Sequence, residues 1–133
     1  MRIRGPFTYA DCERILGSRS DKKIGNNRFL RRMDVDCITL TLHGRSVITW
    51  EKDGKVTLFD CGYQTRTTEA TINEYAPLIA LKQRDGKWYY SFETWHYGLD
   101  SPHSPLVWRP WSTGLMYFPY VDQDKIDNGI PED

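Results

Sequence analysis

The chain has 133 residues, of which 39% are hydrophobic and 27% are charged, and this composition is typical of one globular domain rather than of a disordered chain. No apolar run approaches the roughly 20 residues that a membrane-spanning helix needs, and the first residues lack the apolar core of a signal peptide. The formal net charge is zero, which removes the simplest argument for binding nucleic acid through bulk charge.

The neutral total hides an uneven distribution of charge. Residues 1–33 carry nine basic and three acidic side chains, a net charge of +6, and residues 34–133 carry a net charge of −6. After Tyr120, five acidic residues stand against a single lysine. Two interpretations stay open at this point. The basic part forms an anion-binding face beside an acidic tail, or the two charged ends pair with each other or are simply solvated.

The three cysteines, Cys12, Cys37 and Cys61, form no C-x-x-C pair. Their odd number and their spacing support neither a zinc site nor a disulfide framework. We therefore expect small buried apolar residues in a reducing compartment, the cytoplasm of a cell or of an infected host. The sequence predicts no metal and no cofactor.

Residues 8–17 predict a short helix. Thr8 is suited to the N-cap, Asp11 stands where an acidic side chain completes a capping box, and Gly17 is suited to the end of the helix. Residues 18–36 predict a basic connection, with a turn at Gly25-Asn26-Asn27.

The middle of the chain predicts a series of strands. Apolar and polar residues alternate over 38–43, which predicts a half-buried strand. A second strand covers 47–50. The Asp53-Gly54 pair that follows predicts a type I′ turn, in which both central residues have positive φ.

A further strand, a second helix and a hairpin follow. Residues 56–63 predict one or two strands with a bulge at Gly62. Residues 67–75 predict a short helix that a Thr-Thr pair opens and that Pro77 stops. Residues 78–93 predict a hairpin that turns at an Asp-Gly pair.

Residues 94–120 differ in composition, with four of the seven prolines and seven aromatic residues. This composition predicts an irregular lid over the sheet, with a late strand near 115–120; the alternative is an exposed aromatic patch for a partner. Together the elements predict one α+β domain over 1–133. Its core (8–93) is a mainly antiparallel β-meander of about five strands with two short helices, followed by the Pro/aromatic-rich C-terminal lid (94–120) and an acidic tail (121–133).

Three blocks of this sequence resemble a group of small proteins of unknown function from tailed bacteriophages and prophages. The blocks are K-K-I-G-N-N-R-F-L-R-R at 22–32, I-T-L-T-L-H with V-I-T and D-G over 38–54, and G-Y-Q-T-R-T-T with I-N over 62–73. The resemblance covers about residues 8–77 and implies a phage origin and action in the host cytoplasm, without any established activity. Glu69 and Thr71 stand where the family pattern has basic residues, which weakens a phosphate-binding role for the second helix.

Basic and aromatic side chains are the candidates for contact with a macromolecule. Lysines and arginines near turn amides can hold phosphates, and tryptophans can stack on bases or sugars. The alternative for the basic residues is a loop that is solvated or pairs with the acidic tail, and the alternative for the tryptophans is a role in the core or the lid. The candidate residues are Lys22, Lys23, Asn26, Asn27, Arg28, Arg31, Arg32, Arg66, Trp95, Trp108 and Trp111.

A second set of polar residues recurs in the three blocks and forms a candidate network: His43, Thr67, Thr68 and Asn73. One interpretation is a hydrogen-bond network that ties loops to the sheet, with Thr67 or Thr68 capping a helix. The functional interpretation places these groups around one pocket.

Motifs for catalysis are missing from the sequence. The histidines have no metal-ligand spacing, and neither a nucleophile elbow nor a phosphate-binding glycine loop is present. Cys61 and His43 would form a nucleophile and base only if neighbouring strands brought them together.

The sequence therefore predicts a non-catalytic phage accessory protein that binds a host or phage macromolecule, such as an inhibitor of a host defence or nucleic-acid-processing complex. A protein partner is favoured over nucleic acid, no membrane contact is predicted, and an uncovered edge strand would allow a homodimer. The alternatives are a nucleic-acid-binding module that uses the basic segment and a small hydrolase.

Overall fold

A computed structural model describes residues 2–92 and 108–119 of the chain. Within these residues, two helices and nine strands form two sheets in which all paired strands are antiparallel. The α+β class is confirmed, with more strands than the predicted five or so. In chain order the elements are α1 (Tyr9–Leu16), β1 (Asp21–Gly25), β2 (Arg28–Asp34), β3 (Cys37–Leu42), β4 (Arg45–Glu51), β5 (Val56–Phe59), α2 (Arg66–Tyr75), β6 (Ile79–Arg84), β7 (Lys87–Phe92), β8 (Arg109–Pro110) and β9 (Gly114–Tyr117).

The large sheet has the strand order β1-β2-β3-β4-β5-β9, and its first five strands form the predicted meander. The prediction of a connection over 18–36 was wrong, because this segment forms the β1–β2 hairpin around its predicted turn, where Asn27 has a φ of 60°. Of the large apolar side chains of this hairpin, only Ile24 and Leu30 are completely buried. The intervening lysines and arginines obscured the alternation that marks a strand.

Turn geometry in the meander follows the local side chains. His43 and Gly44 have φ values of 52° and 78°, as a type I′ hairpin turn requires. The type I′ prediction was wrong for Asp53-Gly54, where only Gly54 has positive φ. The Asp53 carboxylate accepts from the Lys55 amide at 2.9 Å, which stabilises a longer loop.

Both helices begin at capping threonines. Thr8 and Asp11 form the predicted capping box of α1. The N-cap of α2 is Thr65, whose hydroxyl accepts from the Thr68 amide at 3.2 Å, so the prediction of a cap at the Thr-Thr pair was wrong. Several threonines in a row can all cap a helix, and the tertiary register decides which one does.

The loop between β5 and α2 contains Gly62 and Tyr63, for which a strand with a bulge was predicted. Gly62 instead has a φ of 78° in a turn. Its amide donates to the Asp60 carboxylate at 2.8 Å, which closes the loop and ends the strand at Phe59.

One face of the large sheet carries the core, and we call it the inner face. Both helices contact this face: Arg32 of β2 bonds to α1, and Arg28 bonds to Thr71 of α2. The small sheet, in the order β6-β7-β8, reaches it through Tyr117, whose ring lies 5.3 Å from that of Phe92. Aliphatic side chains from neighbouring strands align across the inner face and are fully buried: Leu30, Leu40, Ile48 and Leu58.

No described helix or strand packs on the opposite face, which we call the open face. Strand alternation and register assign residues to this face that include Phe29, Arg31, Cys37, Thr39, Thr41, Thr49, Glu51, Thr57, Phe59 and Met116. Met33 stands at a register shift of β2 and is assigned to neither face. The prediction of a half-buried β3 was wrong, because Thr39 and Thr41 on the open face are only 1% and 5% exposed. On the β2 side each of them lies beside a longer side chain, Thr39 beside Arg31 and Thr41 beside Phe29.

The C-terminal part of the described chain belongs to both sheets. β8 pairs with β7, and β9, which confirms the predicted late strand, pairs with β5. Residues 108–119 thus join the two sheets rather than only covering one. The predicted lid over 94–107 and the acidic tail lie outside the described residues. No helix of the described chain is long and apolar enough to span a membrane.

A pair of truncations tests the assignment of the two faces. Leu40→Ala should lower the free energy of unfolding by about 2–5 kcal/mol, because it opens a cavity in the core. Met116→Ala, at a side chain that is 64% exposed, should cost less than about 0.5 kcal/mol. Urea denaturation measures both, and similar costs would contradict an uncovered open face.

Candidate functional site

The open face carries most of the exposed large apolar side chains of the large sheet. Phe29 of β2 is 37% exposed, and Phe59 of β5 and Met116 of β9 are 48% and 64% exposed. The strands between them contribute threonines: Thr39, Thr41, Thr49 and Thr57. The face therefore has two apolar borders and a threonine centre.

At Thr39 and Thr49, the side chains of the threonine centre are already hydrogen-bonded within the sheet. The Thr39 hydroxyl donates to the Ile48 carbonyl at 2.9 Å and lies 3.2 Å from the Thr49 hydroxyl. Covering a polar group that keeps its internal hydrogen bond leaves no donor or acceptor unpaired. This part of the face can thus be buried under a partner at small cost.

The predicted basic residues are divided between the two faces and the edge of the sheet. Arg28 and Arg32 lie on the inner face and bond within the fold, Arg28 to Thr71 at 2.9 Å and Arg32 to Glu13 at 2.9 Å. Arg31 lies on the open face. The cations of the 22–32 block thus form no single basic surface.

The outer edge of β1 holds a second group of the predicted residues. Lys22, Lys23 and Asn26 line a groove of about 600 Å³ beside Arg2, whose guanidinium is paired with Glu74. Asn27, next in the turn, accepts the His43 amide through its carbonyl at 3.0 Å. This edge is the part of the described structure that most resembles the predicted phosphate-binding segment.

The predicted tryptophans do not share a surface with these cations. Trp111 is 9% exposed, lies 5.7 Å from the Trp88 ring, and donates from its indole nitrogen to Asp60 at 2.9 Å. Trp108 stacks with Lys82, whose ammonium lies 4.2 Å from the ring centre, at the small sheet. Trp95 lies outside the described residues. Trp111 therefore acts as core in this structure.

Three members of the predicted polar network meet at one pocket. His43, Thr67 and Thr68 line a cavity of about 260 Å³, together with Arg45 and Cys61. The β3–β4 turn, the loop after β5 and the start of α2 bring them together. The sequence reasoning missed Arg45, although it directly follows the His43-Gly44 turn that could have indicated it. Arg66 is the exposed first residue of α2 and does not line this pocket.

Asn73, the fourth member, has a structural role elsewhere. Its side-chain amide donates to the Leu81 carbonyl at 3.0 Å and accepts from the Leu81 amide at 2.6 Å. These two bonds attach α2 to β6, the first strand of the small sheet. The predicted network is thus partly a pocket and partly a structural link.

Cys61 and His43 line the same pocket, which is the arrangement that a hydrolase hypothesis required. The Cys61 thiol, however, donates to the Ser46 carbonyl at 3.2 Å, and burial raises its pKa above the ordinary value. A thiol with a raised pKa stays protonated at neutral pH and is a poor nucleophile. Nor do any three His, Cys, Asp or Glu side chains of the described chain come together as a metal ion would need.

Another groove lies at the other end of the sheet, between α1 and the β4–β5 loop. It has a volume of about 1120 Å³ and apolar walls that include Tyr9, Val35, Trp50, Pro77 and Pro119. None of the predicted site residues lines it. The candidate site thus consists of the open face and the pocket at the His43 turn.

Comparison with protein families identifies the group to which the chain is related. Residues 12–116 match the family described as Kyanoviridae Gp96 protein. The chain belongs to this family. Its members are phage proteins of unknown function, so the resemblance found in the sequence is confirmed. Comparison with curated proteins and with solved structures found no significant match.

Two variants separate the structural from the pocket-lining part of the polar network. Asn73→Ala should lower the free energy of unfolding by about 1–3 kcal/mol, because the Leu81 amide and carbonyl both lose their partner. Thr67→Ala removes an exposed hydroxyl and should change the free energy of unfolding by less than about 0.5 kcal/mol. Thermal and urea unfolding measure both, and equal losses would contradict this division.

The pH dependence of Cys61 alkylation tests whether this thiol is activated. Because burial raises its pKa, the alkylation rate in the folded chain should reach half of its maximum above pH 9. This midpoint should lie at a higher pH than that of the urea-unfolded chain. The midpoint, read by mass spectrometry of the Cys61 peptide, does not depend on how easily the reagent reaches the thiol. A midpoint below pH 7 would instead indicate a catalytic thiolate.

Proposed function

We propose that this phage protein is a non-catalytic accessory protein that binds another protein, of the host or of the phage, through its open face. The observation that carries the proposal is the set of three large, exposed apolar side chains, Phe29, Phe59 and Met116, on a sheet face that no described element covers. Apolar groups gathered on one face are characteristic of protein-binding surfaces, because a partner removes them from water.

The charges around the open face indicate the chemistry of the partner. Lys23 and Arg31 border Phe29 on the β1–β2 side, and Asp21, opposite Arg31, is the acidic residue in that row. β5 and β9, at the other border, contain no charged residue. A complementary partner presents an apolar surface with carboxylates along one side.

A protein that binds its partner and catalyses no reaction can act as an inhibitor. In the host cytoplasm it would do so by covering a surface of a host defence or nucleic-acid-processing complex. The raised pKa of Cys61 and its bond to a backbone carbonyl support binding over catalysis. The Thr39 hydroxyl keeps its hydrogen bond to the Ile48 carbonyl when a partner covers it, so a protein partner can cover the whole open face.

A nucleic-acid-binding module is the second candidate, and the groove at the β1 edge supports it. Lys22, Lys23 and Asn26 line this groove. The observations favour it less, because Arg2, Arg28 and Arg32 each have internal partners and Trp111 is buried. Few cations therefore remain to release counterions from a phosphate backbone.

Site-specific photocrosslinking tests the protein-binding proposal. A photoreactive amino acid at Met116 should crosslink a partner in nuclease-treated extract of infected cells, and the same group at Lys87 of β7 should not. The partner is then purified and its affinity is measured by calorimetry. Met116→Glu and Phe59→Glu should each weaken binding at least tenfold, because they place a charge in an apolar contact.

Lys87→Glu is the matched control, since it also alters charge at an exposed residue but far from the open face. The proposal fails if Lys87→Glu weakens the complex as much as Met116→Glu does, or if neither open-face variant changes the affinity. If salt-sensitive retention on DNA or RNA is lost in Lys22→Glu/Lys23→Glu, the second candidate replaces the first. Crosslinks between two copies of this chain would identify a homodimer and also overturn the accessory role proposed here.

A further inference from the structure

The pocket at the His43 turn gathers hydrogen-bond donors from three separate parts of the chain. His43 and Arg45 come from the β3–β4 hairpin, Tyr63 from the loop after β5, and Thr67 and Thr68 from the first turn of α2. The volume of about 260 Å³ lies at the lower limit of roughly 300 Å³ for ligand pockets, so the occupant must be small.

The positive charge of this pocket comes from Arg45. Its guanidinium lies 4.3 Å from the centre of the Tyr63 ring and makes a long bond of 3.4 Å to the Tyr63 hydroxyl. No carboxylate of the described chain forms an ion pair with it. The aromatic ring therefore orients a guanidinium whose remaining N–H groups are available to a ligand.

Asp60 is the acidic residue that lines the pocket, and its carboxylate is occupied by the fold. It accepts the Gly62 amide at 2.8 Å, the Gln64 side chain at 2.9 Å and the Trp111 indole at 2.9 Å. Asp60 is 1% exposed, so it faces these donors rather than solvent. The groups that remain open to a ligand are thus chiefly donors.

From this arrangement we propose that the pocket binds a small oxyanion, the phosphate or carboxylate group of a small molecule. Arg45 would bind two oxygens of the anion in the planar geometry that a guanidinium favours. The His43 ring and the Thr67 hydroxyl, which have no partner among the described residues, add donors. The side chains of the β3–β4 hairpin carry this site, so it does not depend on the end of α2 alone.

The bound anion is a ligand and not a substrate. The thiol of Cys61, which lines the pocket, donates a hydrogen bond to the Ser46 carbonyl. No covalent step is assigned to it.

The pocket lies at the end of the sheet where the His43-Gly44 turn also borders a groove lined by Phe29 and Arg31 of the open face. An anion here would be bound next to the surface proposed for the protein partner.

Titration of the folded protein with inorganic phosphate, adenosine monophosphate and succinate tests this site and distinguishes the sources of the anion. At constant ionic strength, at least one of them should shift the His43 ring signals in NMR spectra saturably, with sodium chloride as the reference. Arg45→Gln should weaken binding at least tenfold. Arg84→Gln, which removes an exposed cation at the far hairpin, should leave the affinity within twofold of the wild type.

Two further variants keep the result interpretable if Arg45→Gln impairs folding, which circular dichroism would show. Arg45→Lys retains the charge and should bind more tightly than Arg45→Gln, and Thr67→Val removes only a hydroxyl and should weaken binding severalfold. The proposal is overturned if none of the three anions gives a saturable shift. It is equally overturned if the variants of Arg45 and Thr67 bind as the wild type does. The outcome is independent of whether the open face binds a protein.

Discussion

The packing of all other described elements on one side of the large sheet is the constraint on which the structure depends. Leu30, Leu40, Ile48 and Leu58 form a continuous buried row across four strands. Both helices and the small sheet use this apolar surface as their support, because burial of aliphatic side chains is the main favourable term in folding. As a consequence, the second face of the sheet, which carries apolar side chains of its own, is not covered by any described element.

The alternation of side chains along β2 shows how this constraint separates side chains that bond within the fold from side chains that stay exposed. Arg28 and Arg32 point to the helix side and are bonded there, whereas Phe29 and Arg31 point to the open face. A block that appears in the sequence as one basic run therefore bonds to the helices on one side and contributes to the proposed binding face on the other. The same period of two separates Thr39 and Thr41 from the core residues of β3.

The two proposed binding regions use the same scaffold in different ways. The open face offers area and apolar contact, whereas the pocket at the His43 turn offers a small number of directed donors around Arg45. Both favour recognition over reaction, since the Cys61 thiol is held by a carbonyl and its pKa is raised. Membership of the Kyanoviridae Gp96 family agrees with a phage protein and leaves the partner to experiment.

Local signals in the sequence were sufficient for α1 with its Thr8 cap, for β3 and β4, and for the β6–β7 hairpin, because capping, alternation and Asp-Gly turns act within a few residues. They also marked His43, Thr67 and Thr68, although not their meeting with Arg45. Only the tertiary structure decided that 21–34 is a hairpin, that Trp111 is core, that Asn73 holds α2 to β6, and which face stays open. These features depend on contacts between residues far apart in the chain, which no local pattern encodes.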